Sequence, residues 1–538
     1  MNTILGELGK SQKFVDLIKN IESKNSPIEI SGLTGLGMIQ TLLGINEYAK
    51  KPLAIITYNE IQAKQIIENL KTFTDKGIFF PKKEIVTYDY VAESKDLPYE
   101  RIETLNKIKE KRYPILVTTI ESIMQKLPSK DILYKDTIKF NIGGVYSLDE
   151  IKQKLVNLGY IRCDLIEGRG QFSIRGGILD ISVDEKIGVR IEFWGDEVDS
   201  IRNFAIMSQR SINTLEKVEI FPAHEYILDE SIENVCNKIR KTVVSGKQEE
   251  IIEEDIEQIK AGNYISKIDK YFDCFYKEQS NLLDYLKENY LIVFDEENKI
   301  RQRAINIMQD TNNLINLLTE KEKFVPQALR NLETYENIKD KIEYENKQVL
   351  YVDKQDILSQ NQAQKYRFEY REINYYKSEI ENLFADLKKW LKEGKNIYIL
   401  VSTKEKASKL KEILEKQEIM TKIEEKLDKT IIVKSKEKIV TISIGKLTSG
   451  FENFEINQIV ISADDLIDGG KRKRTISNKA YKEGEKIVFA DLKVGDYVVH
   501  RTYGIGIYIG VNTITADGTT KDYIKIKYQN DDILYVPT

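Results

Sequence analysis

A short glycine-rich segment constrains the fold of this chain more than any other feature. An apolar run from Ile28 to Ser31 leads into the segment Gly32 to Ile39 (GLTGLGMI), and a helix-like stretch follows from Gln40. A strand, a glycine loop and a helix in this order are typical of the phosphate-binding loop, which reads G-x-x-x-x-G-K-[ST]. The order predicts a parallel α/β sheet that begins near Ile28. An ordinary glycine-rich turn between a strand and a helix is the alternative interpretation.

This loop lacks the side chains that hold a nucleotide. In a working loop, backbone N–H groups surround the phosphates, a lysine contacts the outer phosphates, and a hydroxyl coordinates magnesium. Met38 stands at the lysine position and Ile39 at the hydroxyl position. A thioether and a branched hydrocarbon can neither neutralise phosphate charge nor bind a hard cation. We therefore predict a degenerate nucleotide loop that binds no nucleotide, formed by Gly32, Gly35, Gly37, Met38 and Ile39.

Length and composition restrict the class of protein. A chain of 538 residues is long enough for three to five domains at about 100 to 200 residues each. The net charge of −4 provides no global attraction to nucleic acid or anionic lipid. Three scattered cysteines and two histidines support neither a disulfide framework nor a zinc site. We expect a reduced, cytoplasmic protein without a signal peptide, a membrane span or a bound metal.

The hydrophobic pattern predicts a multidomain α/β protein. Apolar runs alternate with helical periodicity from Ile28 to about Gln125, which favours a parallel sheet covered on both faces. Between about Phe140 and Phe221, period-two alternation around glycine turns is typical of antiparallel hairpins and indicates an inserted β-rich module. The first sheet is expected to resume at the apolar run from Leu291 to Phe294.

Two carboxylates, Asp295 and Glu296, follow that apolar run. A strand that ends in an acid is what a magnesium-holding Walker B element looks like. Because the loop has no lysine partner for such a carboxylate, we interpret Asp295 as a relic or a loop cap and predict no catalytic residue.

The remaining chain contains a second α/β pattern, a polar stretch and a β-rich end. The polar stretch includes the basic run Lys471 to Arg474, which is read as a flexible tether, with contact to nucleic-acid phosphates as the alternative. Short strands with glycines after Asp491 suggest a small barrel, and the stop after Pro537 indicates that this barrel is truncated. The predicted segments are 1–130, the first half of a degenerate nucleotidase domain of the RecA/helicase type; 131–220, the inserted β-rich module; 221–345, the second half of the nucleotidase domain; 346–466, a second α/β domain; 467–486, a basic flexible linker; and 487–538, the small C-terminal β-barrel.

Several sequence strings occur together in a recognisable order. They are DLPYE at 96–100, GQFSIRGGILDI at 170–181, RIEF at 190–193, DEVDSIR at 196–202, GDYVVH at 495–500 and YGIG at 503–506. Together they resemble the N-terminal half of the bacterial transcription-repair coupling factor (Mfd) family, whose first three domains are similar to the excision-repair protein UvrB. The resemblance implies that segment 131–220 binds UvrA and that segment 487–538 is an RNA polymerase interaction domain for the β subunit.

The resemblance also implies the residues of the UvrA surface. The homologous charged patch of UvrB matches Arg162, Arg175, Arg190 and Glu192, and Ser173 stands where UvrB carries another arginine. Arginine forks pair directionally with carboxylates, which suits a docking face. The alternative is a solvated strand face with an internal pair between Arg190 and Glu192.

For the polymerase surface, the family docks an edge of its last domain against the β subunit. The corresponding residues are Ile524, Tyr523, Lys525 and Arg501. An exposed edge strand can extend a partner's sheet. However, Ile524 shares a face with Ile526 and Tyr528, so burial in the core is the alternative for this residue.

We therefore expect a monomeric, non-catalytic platform that needs no cofactor and links a stalled polymerase to UvrA. ATP, magnesium and most DNA contacts would belong to helicase-type motor domains that follow in the family. No tyrosine-rich hairpin like the DNA clamp of UvrB is evident between Asn59 and Tyr99. Two alternatives remain: a UvrB-like DNA-dependent ATPase or helicase, and a polymerase-binding regulator in which only the last domain matters.

Overall fold

The structure is a computed structural model, and it describes the chain except for residues 1–2, 34, 84, 86–96, 111–113, 227–229, 243–245, 262–266, 322, 355–362, 374–379, 425–438, 446, 448, 464–493, 501–503, 517–518, 529–532 and 538. Within the described part, no helix is both long and apolar enough to cross a membrane. The predicted linker 467–486 and Arg501 lie outside the described residues.

Helices and strands alternate over the first 134 residues, as the hydrophobic pattern predicts. Side-chain caps begin several of the helices; for example, Asn59 accepts a hydrogen bond of 2.8 Å from the backbone N–H of Gln62. The elements are α1 Thr3–Gly6, α2 Gln12–Glu22, β1 Ile28–Ser31, α3 Gly35–Tyr48, β2 Leu53–Thr57, α4 Glu60–Phe73, β3 Gly77–Phe80, α5 Leu97–Glu110, β4 Ile115–Thr119, α6 Ile120–Met124, β5 Leu127–Pro128 and α7 Lys130–Tyr134, with a 3₁₀ helix at Glu7–Lys10.

The next segment is rich in strands. Its elements are β6 Ile138–Asn141, α8 Leu148–Asn157, β7 Ile161–Arg162, β8 Gln171–Arg175, β9 Ile178–Ser182, β10 Ile187–Trp194, β11 Glu197–Ala205, β12 Ser211–Leu215 and β13 Lys217–Ile220. The strands β12-β11-β10-β9-β8-β7 form a six-stranded sheet in that order, which is antiparallel except between β7 and β8. This pairing confirms the predicted hairpins. The apolar face of the sheet, including Phe172, Leu179 and Ile191, packs into the largest hydrophobic core.

Helices dominate the chain from residue 232 until the first sheet resumes. The elements are α9 Ile232–Arg240, α10 Gly246–Lys260, α11 Phe272–Phe275, β14 Gln279–Ser280, α12 Leu282–Tyr285, β15 Leu291–Asp295, α13 Glu297–Glu320, α14 Gln327–Arg330, α15 Tyr335–Tyr344, β16 Gln348–Val352, β17 Gln364–Arg367 and β18 Tyr370–Ile373.

The predicted parallel sheet is confirmed and has seven strands. Their order is β17-β1-β16-β15-β2-β4-β3, and every neighbouring pair is parallel. All residues of β2, β4 and β15 are buried, as expected for a parallel sheet covered on both faces. Since β16 and β17 belong to this sheet, it continues past residue 345, where we predicted that the first α/β domain ends.

A second α/β unit follows the first sheet. Its further elements are α16 Ile380–Lys392, β19 Asn396–Val401, α17 Lys404–Glu415, β20 Thr421–Glu424, β21 Val440–Ile444, β22 Gly450–Asn453 and β23 Gln458–Ser462, with a 3₁₀ helix at Phe454–Ile456. They form a mixed six-stranded sheet in the order β18-β22-β23-β19-β21-β20. One hydrophobic cluster contains residues of both large sheets, for example Ile30 and Val460, so the two units share a core.

The C-terminal strands are β24 Tyr497–His500, β25 Gly504–Ala516, β26 Thr519–Lys527 and β27 Ile533–Pro537. They form an antiparallel sheet in chain order. Among the described residues β24 and β27 are the two edges of this sheet, so the structure shows an open four-stranded sheet where the sequence predicts a small barrel that is truncated at its end.

Candidate functional site

Another part of the chain packs against the degenerate nucleotide loop. Gly32 and Gly35 have positive φ angles of 77° and 38°, as a tight turn between β1 and α3 requires. A Cβ atom added to Gly32 would collide with the carbonyl oxygen of Phe368. A Cβ atom on Gly37 would come within 3.0 Å of three ring carbons of Tyr370. The glycines therefore allow close packing of Phe368, which follows β17, and of Tyr370, which begins β18.

Met38 and Ile39 are core residues. They are 6% and 1% exposed and lie in the same hydrophobic cluster as Tyr370, Phe451 and Val460. The two side chains that replace lysine and hydroxyl are therefore part of the hydrophobic core that the two α/β units share. Neither side chain therefore offers a charge or a hydroxyl at the positions where a working loop contacts phosphate and magnesium.

Polar groups beside this loop bind to each other. The hydroxyl of Tyr370 donates to Gln40 Oε1 at 2.9 Å and lies 3.1 Å from Thr41 Oγ1. Asn453 Nδ2 donates to the same hydroxyl at 2.8 Å and to Gln40 Oε1 at 3.1 Å. Burial raises the pKa of Tyr370 above its usual range. The first turns of α3 thus make hydrogen bonds with the second α/β unit.

The strand that resembles a Walker B element ends in a buried acid. Asp295 is 4% exposed and accepts a hydrogen bond of 3.3 Å from Gln62 Nε2. Burial raises the pKa of Asp295 to about 6. Glu296 adopts a left-handed conformation with φ of 62°, and its carboxylate pairs with Lys299 at 2.8 Å. Such strain in a non-glycine residue persists only when its surroundings hold it.

Three of the four residues predicted for the UvrA surface lie on one face of the six-stranded sheet. Strand register places Arg190 opposite Asp180, and Glu192 opposite Ile178, which in turn faces Arg175. Asp180 is only 1% exposed, and its carboxylate binds Arg190 through two hydrogen bonds of 2.7 and 2.9 Å and Arg175 through one of 2.9 Å. The hydrogen bonds that Arg190 donates to Asp180 raise the pKa of this guanidinium, so it stays charged.

The pair between Arg190 and Glu192, which belongs to the alternative interpretation of this face, does not form. Glu192 instead pairs with Arg202 and accepts a hydrogen bond of 2.9 Å from Ser200 Oγ. Arg190 uses Asp180, because Asp180 lies directly opposite it on β9 while Glu192 lies two residues along the same strand. Ser173, which replaces the further arginine of UvrB, donates to the carbonyl oxygen of Asp164 at 2.8 Å and is buried.

Arg162 is separate from the other three residues. It is exposed on the edge strand β7, in register with the core residue Phe172 rather than with a residue of the charged face. The structure therefore does not bring Arg162 together with Arg175, Arg190 and Glu192.

The same face also carries an exposed aromatic residue, Trp194, that was not predicted from the sequence. Trp194 is 85% exposed at the end of β10, beside the turn at Gly195. It alternates with the buried Phe193 and so continues the face of Arg190 and Glu192. The same period-two alternation could have identified it. We call Arg175, Asp180, Arg190, Glu192, Trp194 and Arg202 the charged face.

The predicted polymerase surface is only partly accessible. Ile524 is 8% exposed and packs with Tyr508, Ile526 and Leu534, so the buried alternative is correct. Strand β26 lies between β25 and β27 and is not an edge, contrary to our expectation. Lys525 is half-buried, and the side chain of Tyr523 and all of Arg501 lie outside the described residues.

Two exposed apolar side chains mark the opposite face of this small sheet. Tyr497 is 77% exposed on the edge strand β24, and Ile505 is 68% exposed on β25. Strand pairing places both on the side opposite Tyr508. Sequence alternation alone did not single them out, because it does not tell which face of a small sheet is buried.

Comparisons with known proteins match these two regions to families of interaction domains. Residues 138–226, which contain the charged face, match the UvrB interaction domain. Residues 492–538, which contain the open sheet, match the CarD-like/TRCF RID domain.

Several relatives that align along 90% or more of this chain are named transcription-repair-coupling factor. The transcription-repair-coupling factor of Bacillus subtilis is 27% identical over 554 aligned residues, which cover all of this chain and 46% of the relative. The same factor from Staphylococcus epidermidis is 27% identical over 90% of the chain and 42% of the relative, and that from Staphylococcus aureus strain RF122 is 26% identical over 99% and 46%. The predicted resemblance to the N-terminal half of transcription-repair coupling factors is thus confirmed, and the chain spans less than half the length of these relatives.

Proposed function

We propose that this chain is a non-catalytic binding platform that holds RNA polymerase through its C-terminal sheet and recruits UvrA through its charged face. The observation that carries the proposal is the presence of both interaction domains in one chain. Such a platform would couple stalled transcription to nucleotide excision repair. An ATP-dependent DNA translocase motor would lie in the part of the relatives that this chain does not span.

The filled loop supports the non-catalytic part of the proposal. A nucleotide at this loop would have to displace Tyr370 and Phe368 and would meet Met38 instead of a lysine. The loss of the phosphate-clamping cation removes the main electrostatic stabilisation of phosphoryl transfer. We therefore expect no ATP hydrolysis by this chain with or without DNA. Turnover by the wild-type chain that is lost in Asp295→Ala would support the ATPase alternative and contradict this proposal.

The charged face has the chemistry of a protein-docking surface. Asp180 holds two guanidinium groups in defined positions, and Arg175 remains exposed despite this contact. Holding the arginines in place lowers the entropy lost when a partner binds. Trp194 adds a large exposed apolar group, and arginine and tryptophan are the residue types enriched at interface hot spots. The face therefore suits a partner surface that offers carboxylates around an apolar pocket.

Binding of purified UvrA to the chain tests this assignment. We expect Arg175→Ala and Trp194→Ala each to weaken binding at least ~10-fold, since hot-spot truncations cost about 2 kcal/mol or more. Arg240→Ala is a matched control, because Arg240 is an exposed arginine paired with Glu253 on a different part of the surface. Wild-type affinity in both charged-face variants would contradict the assignment.

Capture of RNA polymerase tests the second surface. We expect Tyr497→Ala and Lys525→Glu to weaken capture while the fold is preserved, because neither residue lies in the small core. Ile524→Ala is expected to act by loosening that core, which a circular dichroism spectrum would report. Simultaneous capture of polymerase and UvrA by one chain would distinguish a platform from a simple polymerase-binding regulator. Mutually exclusive capture would contradict the platform.

A further inference from the structure

The segment between the two large sheets belongs to both of them. Strand β17 pairs with β1 of the parallel sheet, and the backbone N–H of Phe368 continues this contact by donating to Ser31 at 3.0 Å. Two residues later, β18 pairs with β22 of the mixed sheet. We call residues 364–373 the connector. Its midpoint passes directly over the glycine loop.

The connector fits against the loop only because two positions have no side chain. The carbonyl oxygen of Phe368 occupies the space beside Gly32, and the ring of Tyr370 lies on Gly37 in the first turn of α3. Gly37 is helical and carries no positive φ angle. Its glycine therefore serves close packing rather than backbone conformation, which makes it a clean probe of the contact.

Hydrogen bonds between protein groups join the buried polar side chains at this contact. Gln40 Nε2 donates to Gln458 Oε1 at 2.5 Å and to the carbonyl oxygen of Ile4 at 3.2 Å. Gln458 Nε2 also reaches Ile4, and it donates to Glu7 Oε2 at 2.9 Å. Gln40, Gln458 and Asn453 are at most 1% exposed. A satisfied network of this kind favours one arrangement of the two units, because any shift would leave buried groups unpaired.

The N-terminal helices hold the connector from its other side. Lys13 Nζ donates to the carbonyl oxygen of Arg367 at 2.7 Å and pairs with Glu455 of the second unit. Asn20 donates to the hydroxyl of Tyr366. The connector is therefore enclosed between the helix α2 and the glycine loop.

We propose that the degenerate nucleotide loop is an intramolecular socket, in which Gly32 and Gly37 receive the connector and fasten the second α/β unit to the parallel sheet. Met38 and Ile39, which stand where a working loop carries the lysine and the hydroxyl, belong to the same hydrophobic cluster as Tyr370. The socket replaces an exchangeable ligand by a permanent segment of the chain, so the two units move as one body. This inference does not depend on the identity of either binding partner.

Hydrogen exchange measured by mass spectrometry tests the socket on the whole chain. Gly37→Ala places a methyl group in the space that the ring of Tyr370 occupies. We therefore expect hydrogen exchange in β18 and β22 to rise at least ~10-fold, with a smaller change in β2 and β4. The matched control is Gly168→Ala, because a Cβ atom at Gly168 would meet nothing within 4 Å. Unchanged exchange in β18 and β22 of a folded Gly37→Ala variant would overturn the proposal.

Two further variants keep the test decisive if Gly37→Ala does not fold. Tyr370→Phe keeps the ring but removes the hydroxyl that joins Gln40, Thr41 and Asn453, and we expect a smaller rise in exchange at the same strands. Tyr370→Val in a Gly37→Ala background frees space and should recover part of the lost protection, since contacting residues are not additive. Wild-type exchange in Tyr370→Phe, or additive effects in the double variant, would refute the socket.

Discussion

Restoring the nucleotide motif tests whether Met38 and Ile39 are structural residues. The variant Met38→Lys with Ile39→Thr recreates the lysine and the hydroxyl of a working loop. On the structure, it should damage the contact between the α/β units instead of creating a nucleotide site. Both side chains point into the shared core, and the ring of Tyr370 covers the neighbouring glycine.

The expected loss of stability follows from burial. Ile39 is 1% exposed, and replacing it by threonine buries a hydroxyl at a cost of about 1 to 3 kcal/mol. Met38 is 6% exposed, and an uncompensated ammonium group there costs about 3 to 5 kcal/mol. The sum of about 4 to 8 kcal/mol is comparable to the total stability of a typical domain, about 5 to 15 kcal/mol. We expect this region to unfold in the double variant.

Thermal unfolding and calorimetry with Mg·ATP provide the assay. The double variant should show a much lower Tm and no ATP binding, and Ile39→Thr alone should show a measurable intermediate Tm. Met38→Leu is the control, because a swap of similar volume in a core usually costs less than about 1.5 kcal/mol. A double variant with the wild-type Tm and micromolar ATP affinity would refute the reasoning.

Three further predictions concern buried ionisable groups and are checked by Tm as a function of pH. Burial raises the pKa of Asp295 from 3.8 to about 6. The contribution of this carboxyl to stability is therefore present below pH 3.8 and lost as pH rises through 6. We expect Asp295→Asn to stabilise the chain above pH 6 by about 2 to 3 kcal/mol and to change stability little below pH 4. Burial lowers the pKa of His224 from 6.5 to about 4, so its contribution to stability is present above pH 6.5 and lost as pH falls through 4. We expect His224→Gln to flatten the decline of Tm between these two pH values. An unchanged slope of Tm against pH would contradict this assignment. Glu225 and Arg101 are both fully buried and are joined by hydrogen bonds of 3.0 and 3.1 Å. Glu225→Gln should lower the free energy of unfolding by about 3 to 5 kcal/mol, because it leaves a buried guanidinium uncompensated. The double variant Arg101→Met with Glu225→Leu should recover most of this loss.

Local patterns predicted much of the fold. Continuous apolar runs such as Leu53–Thr57 and Leu291–Asp295 became strands of the parallel sheet, because such runs suit strands that are buried on both faces. The alternation around Gly195 became the hairpin of β10 and β11. Both predictions depend on a few consecutive residues, so tertiary contacts were not needed to make them.

Partners across the chain were not predictable from such patterns. Alternation placed Arg190 and Glu192 on one face and suggested that they pair, yet Asp180 on the neighbouring strand takes Arg190. Likewise, alternation grouped Ile524 with Ile526 but left open whether their face is buried. Strand register and the packing of other elements decide which residues pair and which face is buried. Neither can be predicted from the local pattern of one sequence.

By itself, the sequence determined that the first domain is a parallel α/β unit and that its loop lacks a cation and a hydroxyl for nucleotide chemistry. Only the tertiary structure decided what occupies that loop. Tyr370 follows Gly37 by more than three hundred residues, and their contact arises because β17 pairs with β1 and directs the chain over the loop. A glycine shows where a side chain is missing, whereas the group that fills the space is selected by the packing of the whole chain.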